Sequence, residues 1–119
     1  MLRVSATTTD TEIDLQGING SADAASVGIE FGAELINFAA SAATHDPDSL
    51  PRDRQALLEV AGSQVLVDAA GVIGNFQRMV RIADSIGIPV DNLDSQLGQD
   101  VRQDLDLARF PSAQNSLRP

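Results

Sequence analysis

Apolar residues recur at three- and four-residue spacings along most of this chain, which is the spacing of one face of an α-helix. The first predicted helix covers about 22–44, with Ser21 or Asp23 as its N-cap. Gly28 and Gly32 lie four residues apart within it, a spacing that favours close packing of a neighbouring helix. The second is short, covers about 52–61 and ends at Gly62, a residue type that often follows a helix. No segment shows the alternation and turn signals of a β-hairpin, so the pattern predicts an all-α fold.

Two further helices are predicted in the second half of the chain. The third covers 63–86 and ends before Gly87, and the fourth covers about 92–107 with Asp91 as its N-cap. The third helix is apolar on nearly every side, which is typical of a central helix with several neighbours. We therefore expect it to form the buried core of a small bundle of about four helices.

The chain of 119 residues has room for one domain. Its composition predicts a flexible, polar arm over 1–21, a single helical domain over 22–110 and a polar tail over 111–119. Most apolar residues are small, and only four aromatic residues are present. Small side chains bury little area each, so a lone monomer is expected to be marginal and a homo-oligomer is predicted.

Charge and residue usage exclude several functions. Acidic residues outnumber basic ones by 17 to 8, and this acidic chain lacks the basic surface that nucleic acids and anionic membranes require. It is cysteine-free, which excludes thiol catalysis, and its single histidine limits any zinc site to one imidazole. The sequence shows neither a signal peptide nor an uncharged apolar stretch of spanning length, so we expect a cytoplasmic protein without a membrane span.

Arg78 and Arg81 are the first candidate ligand residues, because two guanidinium groups one helical turn apart can clamp a carboxylate. The alternative is a structural ion pair with Asp84, or with Glu30 or Glu34 of the first helix. Structural ion pairs outnumber ligand sites among such groups, so the ion pair is the favoured interpretation.

Asn75 and His45 complete the candidate set. Asn75 could orient a ligand or contact a second subunit, and the subunit contact is favoured. His45 follows the first helix, where the negative end of the helix dipole favours a capping role over catalysis. Glu30 and Glu34 lack the Glu-x-x-His motifs that accompany carboxylates in helical metal sites, so neither a metal nor a cofactor is expected.

Several strings between about Glu34 and Ser116 resemble a known family. They are Ile36-Asn37-Phe38-Ala39, His45-Asp46-Pro47-Asp48-Ser49-Leu50, Leu66-Val67-Asp68-Ala69-Ala70, the run NFQRMVRIAD over 75–84, Gly87-Ile88-Pro89 and the ending over 109–116. In these strings the chain is similar to the C-terminal half of the alkylhydroperoxidase D-like branch of the carboxymuconolactone decarboxylase family. The most specific of them is the Asn-Phe-x-x-x-x-Arg-x-Ala-Asp core of the run over 75–84.

The resemblance implies an all-helical domain that assembles through its helices, and it requires the 63–86 helix to be buried. It does not carry the family's thiol peroxidase activity, because that chemistry uses a Cys-x-x-Cys pair where this chain has residues 22–30. The leading prediction is a non-redox module for oligomerisation or small-ligand binding, with no catalytic residue. One alternative is a small enzyme of the carboxymuconolactone decarboxylase type, with an organic acid bound by Arg78 and Arg81. Another is a subunit that needs a second chain to restore the missing half.

Overall fold

The computed structural model describes residues 14–90 and 95–117. Within these ranges every regular element is helical, which confirms the all-α fold class. The α-helices α1 to α5 span, in chain order, Ala22–Ala25, Gly32–Thr44, Leu50–Ile86, Gln96–Asp104 and Gln114–Leu117. Three 3-10 turns accompany them, at Leu15–Asn19, Leu107–Arg109 and Pro111–Ala113. The chain separates into two compact units, Met1–Phe76 and Gln77–Pro119. The predicted division into arm, domain and tail stays a prediction, and its residues 1–13 and 118–119 lie outside the described ranges.

The first predicted helix is two helices in the structure, because the chain turns between α1 and α2. Gly28 and Phe31 in this turn have positive φ angles of 71° and 55°, which an α-helix does not contain. A glycine inside a helix costs about 1 kcal/mol relative to alanine, so Gly28 favours a break at this point. Of the two candidate N-caps, the structure shows Ser21, whose hydroxyl accepts a hydrogen bond from the Ala24 N–H at 3.2 Å, whereas Asp23 lies in the first turn.

The second and third predicted helices are joined in α3, with a break in the backbone at Gly62. Its φ of 82° and ψ of 172° are not helical, and glycine is essentially the only residue that adopts this region without strain. The break falls where the sequence predicts one helix to end and the next to begin, so that boundary is confirmed. Before the break, Leu57 is fully buried, with an exposed fraction of 0%.

After Gly62, α3 presents many large apolar side chains to solvent. More than half of the side-chain surface is exposed at Val67, Val72, Phe76, Met79, Val80, Ile82 and Ile86. The prediction that this helix is the buried core is therefore wrong for the single chain. The physical reason within the second unit is length, because α4 has nine residues and α5 has four, too few to cover residues 77–86 of α3 on every side.

The fourth predicted helix corresponds to α4, whose N-cap is Ser95. The Ser95 hydroxyl accepts a hydrogen bond from the Gly98 N–H at 3.2 Å, whereas the predicted cap, Asp91, lies outside the described residues. The helix ends earlier than predicted, because Asp106 has a φ of 49° and starts a 3-10 turn. The Val90 N–H donates to the Ser116 hydroxyl at 2.8 Å, which ties α5 to the segment that follows α3.

Candidate functional site

A cavity of about 520 Å³ lies within the first unit, between the 3-10 turn at Leu15–Asn19, α2 and residues 65–73 of α3. Small-molecule sites have volumes of roughly 300–1,000 Å³, so this cavity has the size of a ligand site. Its walls are mainly aliphatic, and the larger of these side chains are Ile18, Leu35, Ile36, Val65, Val72 and Ile73. The ionisable residues among the described part of its lining are two carboxylates, Asp14 and Asp68.

At one wall of the cavity, Gly17 and Gly32 allow the backbone to pack closely because neither has a side chain. A Cβ atom at Gly32 would lie 1.8 Å from the Ala25 carbonyl oxygen, and one at Gly17 would lie 2.9 Å from the Ala25 Cα. The backbone of α1 is thus packed directly on α2 and on the 3-10 turn. The sequence interpretation of Gly32 as a close-packing residue is confirmed, whereas Gly28 lies in a turn.

Both carboxylates of the cavity are exposed to water and already hold one donor. Oδ1 of Asp14 accepts a hydrogen bond from the Gln16 N–H at 2.9 Å and so caps the 3-10 turn. The side-chain amide of Gln64 donates to both carboxylate oxygens of Asp68 at 3.3 Å. Each carboxylate is therefore oriented by the chain and keeps further lone pairs for a ligand.

The two candidate arginines do not belong to this cavity. Arg78 and Arg81 are exposed on α3 and are absent from the described lining of the cavity. At about 100° per residue, they lie on the face of α3 opposite Ala83. The carboxylate clamp and the ion pair with Asp84 both remain predictions. Asn75 is also exposed on α3 and outside this lining, so its contact with a subunit or ligand remains a prediction.

His45 ends α2 in the left-handed conformation, with a φ of 54° and a ψ of 39°. Its N–H donates to the Ala42 carbonyl at 3.3 Å, and the Asp46 N–H donates to the Ser41 carbonyl at 3.0 Å. This pair of hydrogen bonds is the Schellman motif, in which glycine is the usual residue at the position of His45. His45 therefore caps α2 through its backbone. The predicted interaction of its imidazole with the helix dipole stays a prediction.

Replacing His45 with glycine is expected to stabilise the fold by up to about 1 kcal/mol, because an L-residue pays a steric cost in the left-handed region. Urea denaturation followed by circular dichroism measures the change. His45→Asn is the matched control and should give a smaller gain, since asparagine tolerates this conformation better than most residues. A loss of stability in His45→Gly would show that the imidazole makes a stabilising contact and would contradict this interpretation.

The loop that leads into α3 is ordered by Asp46. Its carboxylate accepts hydrogen bonds from the Ser49 hydroxyl at 2.5 Å and from the Asp48 N–H at 3.1 Å. The Ser49 hydrogen bond, followed by that of Asp48, holds the pKa of Asp46 below its ordinary value. Because this pKa is lowered in the folded chain, the contact stabilises the fold above the ordinary pKa and is lost as the pH falls through the lowered one.

Sequence reasoning did not find the cavity, although one signal for it was present. Asp68 interrupts the longest apolar run of the chain, between Val65 and Phe76, and the structure places it at the cavity. Asp14 carried no signal, because it belongs to a segment interpreted as a flexible arm. Within residues 14–90 and 95–117, no group of three or more His, Asp or Glu side chains is placed to hold a metal ion.

No protein-family model, no curated protein and no solved structure matches this chain. The resemblance to alkylhydroperoxidase D-like proteins therefore stands on the quoted strings alone and stays a prediction. The burial of the 63–86 helix, which that resemblance requires, is not met by the single chain.

Proposed function

We propose that this chain is a non-redox helical self-association module, in which a second copy covers an apolar stripe on α3. The α3 stripe consists of Phe76, Met79, Ala83 and Ile86. The three large members have exposed fractions of 59%, 51% and 70%, respectively. Burying a side chain of this size contributes about 1.5–3 kcal/mol, so a surface that leaves three of them in water favours association. This exposure is the observation that carries the proposal.

The α3 stripe is the end of a longer heptad pattern. Spacings of four and three alternate through Val65, Ala69, Val72, Phe76, Met79, Ala83 and Ile86. Alternation of this kind over three heptads is typical of a seam between two helices. A second copy of the chain carries the same α3 stripe, and two identical stripes can pair about a two-fold axis. The earlier positions Val65, Ala69 and Val72 line the cavity of the first unit and lie outside this proposed contact. The pattern thus favours self-association over an unrelated partner.

The small core of the described residues supports the same conclusion. Its buried apolar residues are Leu15, Ala24, Ala25, Phe38, Leu57 and Leu105. A chain of this length buries a modest fraction of its surface when it folds alone, and two of these six residues are alanines. Association through the α3 stripe would add apolar area that the monomer does not bury.

A membrane is the competing cover for this surface. In length and composition α3 could cross a bilayer, because a window of 18 residues within it has a mean hydropathy of 1.5, which departs from the expectation of no spanning stretch. These criteria are also met by helices that pack in soluble proteins. The charges of Asp68, Arg78 and Arg81 within residues 63–86 oppose a span, which needs about 20 mainly apolar residues. A second copy is therefore the favoured cover.

The alternative of a small decarboxylase-type enzyme gains no support from the geometry. Its two proposed carboxylate ligands, Arg78 and Arg81, lie outside the described lining of the cavity. The cavity presents carboxylates of its own, which would repel an organic acid. The enzyme alternative therefore stays a prediction.

The test of self-association is the double variant Met79→Glu/Ile86→Glu. We expect the unmodified chain to sediment as a dimer or larger assembly in a concentration series by analytical ultracentrifugation. Each buried, unpaired charge is expected to cost at least about 1.4 kcal/mol, so the double variant should raise the dissociation constant by about 100-fold or more. Circular dichroism should show that the helical content of the variant is retained.

Val67→Glu is the matched control for this test. Val67 is also an exposed apolar residue of α3, but helical geometry places it on the face away from the α3 stripe. Its substitution should leave the assembly unchanged. An unmodified chain that is monomeric throughout the series, or an equal loss in Val67→Glu, would refute the proposal. Flotation of the chain with lipid vesicles, lost in the double variant, would assign the stripe to a membrane instead.

A further inference from the structure

We propose that the cavity of the first unit binds a compact hydrophobic organic cation. This inference goes beyond self-association and does not depend on it, because the cavity lies within Met1–Phe76 of a single chain. Three observations carry it: the volume of the cavity, its aliphatic walls and the sign of its charged groups.

The volume and the walls define the body of the ligand. About 520 Å³ is enough for a small organic molecule, and aliphatic side chains from the 3-10 turn, α2 and α3 line this space, which is open to solvent. Gly17 and Gly32 keep the wall at α1 close, because each contacts Ala25 without an intervening side chain. Such a site favours a compact hydrocarbon body, because transfer of its apolar surface from water to the cavity lowers the free energy.

The charged groups of the lining determine which ligand charge the cavity favours. Asp14 and Asp68 are both part of the lining, and no basic side chain accompanies them among its described residues. A carboxylate that meets an ammonium group forms a charge-assisted hydrogen bond, whereas two carboxylates repel each other. The net charge of −9 gives the long-range field the same sign. The cavity therefore favours a cation over an anion of the same shape.

A set of three probes with one hydrocarbon cage separates shape from charge. The probes are 1-adamantylamine, 1-adamantanol and adamantane-1-carboxylate, which are cationic, neutral and anionic at neutral pH. We expect the amine to bind most tightly and the carboxylate least tightly. Because the carboxylates are exposed, the advantage of the amine over the alcohol should be roughly two- to fivefold in the dissociation constant. Titrations followed by amide chemical shifts measure each constant and locate the site.

The expected location is specific. The largest shift changes should fall on backbone amides of lining residues such as Gly17, Gly32 and Ile73. Asp68→Asn should weaken binding of the amine about two- to threefold and leave binding of the alcohol unchanged. Asp84→Asn is the matched control, since Asp84 is an exposed carboxylate of α3 outside the cavity lining, and it should change neither constant.

Several outcomes would overturn the inference. They are failure of all three probes to bind, tightest binding of the carboxylate, shift changes outside the cavity, and equal effects of Asp68→Asn and Asp84→Asn. Amine binding that is seen only in the Met79→Glu/Ile86→Glu variant would also overturn it, because a second copy would then fill the cavity of the assembled protein. Sedimentation of the same samples reports self-association separately, so the two proposals can fail independently.

Discussion

Replacing Gly32 with alanine is expected to lower the free energy of unfolding by about 3 kcal/mol or more. The new Cβ would lie 1.8 Å from the Ala25 carbonyl oxygen and 2.6 Å from its carbonyl carbon, far inside any tolerated contact. Both atoms belong to the backbone of α1, so relief requires α1 to move away from α2 as a whole. Overpacking of this kind commonly costs about 1–3 kcal/mol and exceeds that where backbone must shift. Thermal denaturation followed by circular dichroism should show a midpoint at least about 10 °C lower.

Gly71→Ala is the matched control for this substitution. A Cβ at Gly71, in α3, meets no atom within 4 Å, and alanine is a better helix former by up to about 1 kcal/mol. This variant should therefore be slightly more stable than the unmodified chain. The packing argument would be contradicted if Gly32→Ala remained as stable as the unmodified chain, or if Gly71→Ala lost as much stability as Gly32→Ala.

The close contact at Gly32 shows how far the sequence alone could go. The spacing of Gly28 and Gly32 indicated close packing, and the structure confirms it at Gly32. The same spacing was interpreted inside one continuous helix, which is wrong, because the chain turns at Gly28 and Phe31. A phenylalanine with positive φ has no local signal in the sequence, since tertiary packing of α1 on α2 imposes it.

Helix ends that depend on local chemistry could be predicted. Ser21 and Gly62 were identified from residue type alone, and the structure confirms both, because a hydroxyl cap and a glycine break act within a few residues. His45 was identified from its position after an apolar run and before a proline-containing loop, and it ends α2. In each case the decisive interaction lies within five residues along the chain.

Burial could not be predicted in the same way. The apolar composition of 63–86 indicated that this helix needs cover, but a pattern does not say which molecule supplies the cover. The structure shows that the rest of the described chain leaves more than half of the surface of Phe76, Met79 and Ile86 exposed. The cavity was missed for a related reason, because Asp14 and Asp68 are distant in the sequence and only the fold brings them to one lining.

The two parts of α3 differ in burial. Its first part, up to Gly62, is fixed by burial within the single chain, as Leu57 shows. Its last turns carry the α3 stripe, which the single chain leaves exposed. Stability of the folded chain should therefore depend on the first part, and association should depend on the last. Substitutions in the two parts should accordingly change different measurements.

Leu57→Ala is the sharpest test of that separation. Leu57 has an exposed fraction of 0%, so its truncation removes buried methyl groups and leaves a cavity behind. Substitutions of this kind cost about 2–5 kcal/mol, a large part of the total stability of a small domain. We expect a loss of that size in urea denaturation, or a chain that is largely unfolded at room temperature.

The control is Val60→Ala, in the same helix and one turn later. Val60 is half exposed, so removal of its two methyl groups should cost less than about 1 kcal/mol. Neither substitution touches the α3 stripe, so a Leu57→Ala chain that still folds should keep the dissociation constant of the unmodified assembly. Equal losses of stability in the two variants would show that Val60 is covered in solution. The first part of α3 would then also belong to the surface that a second copy buries.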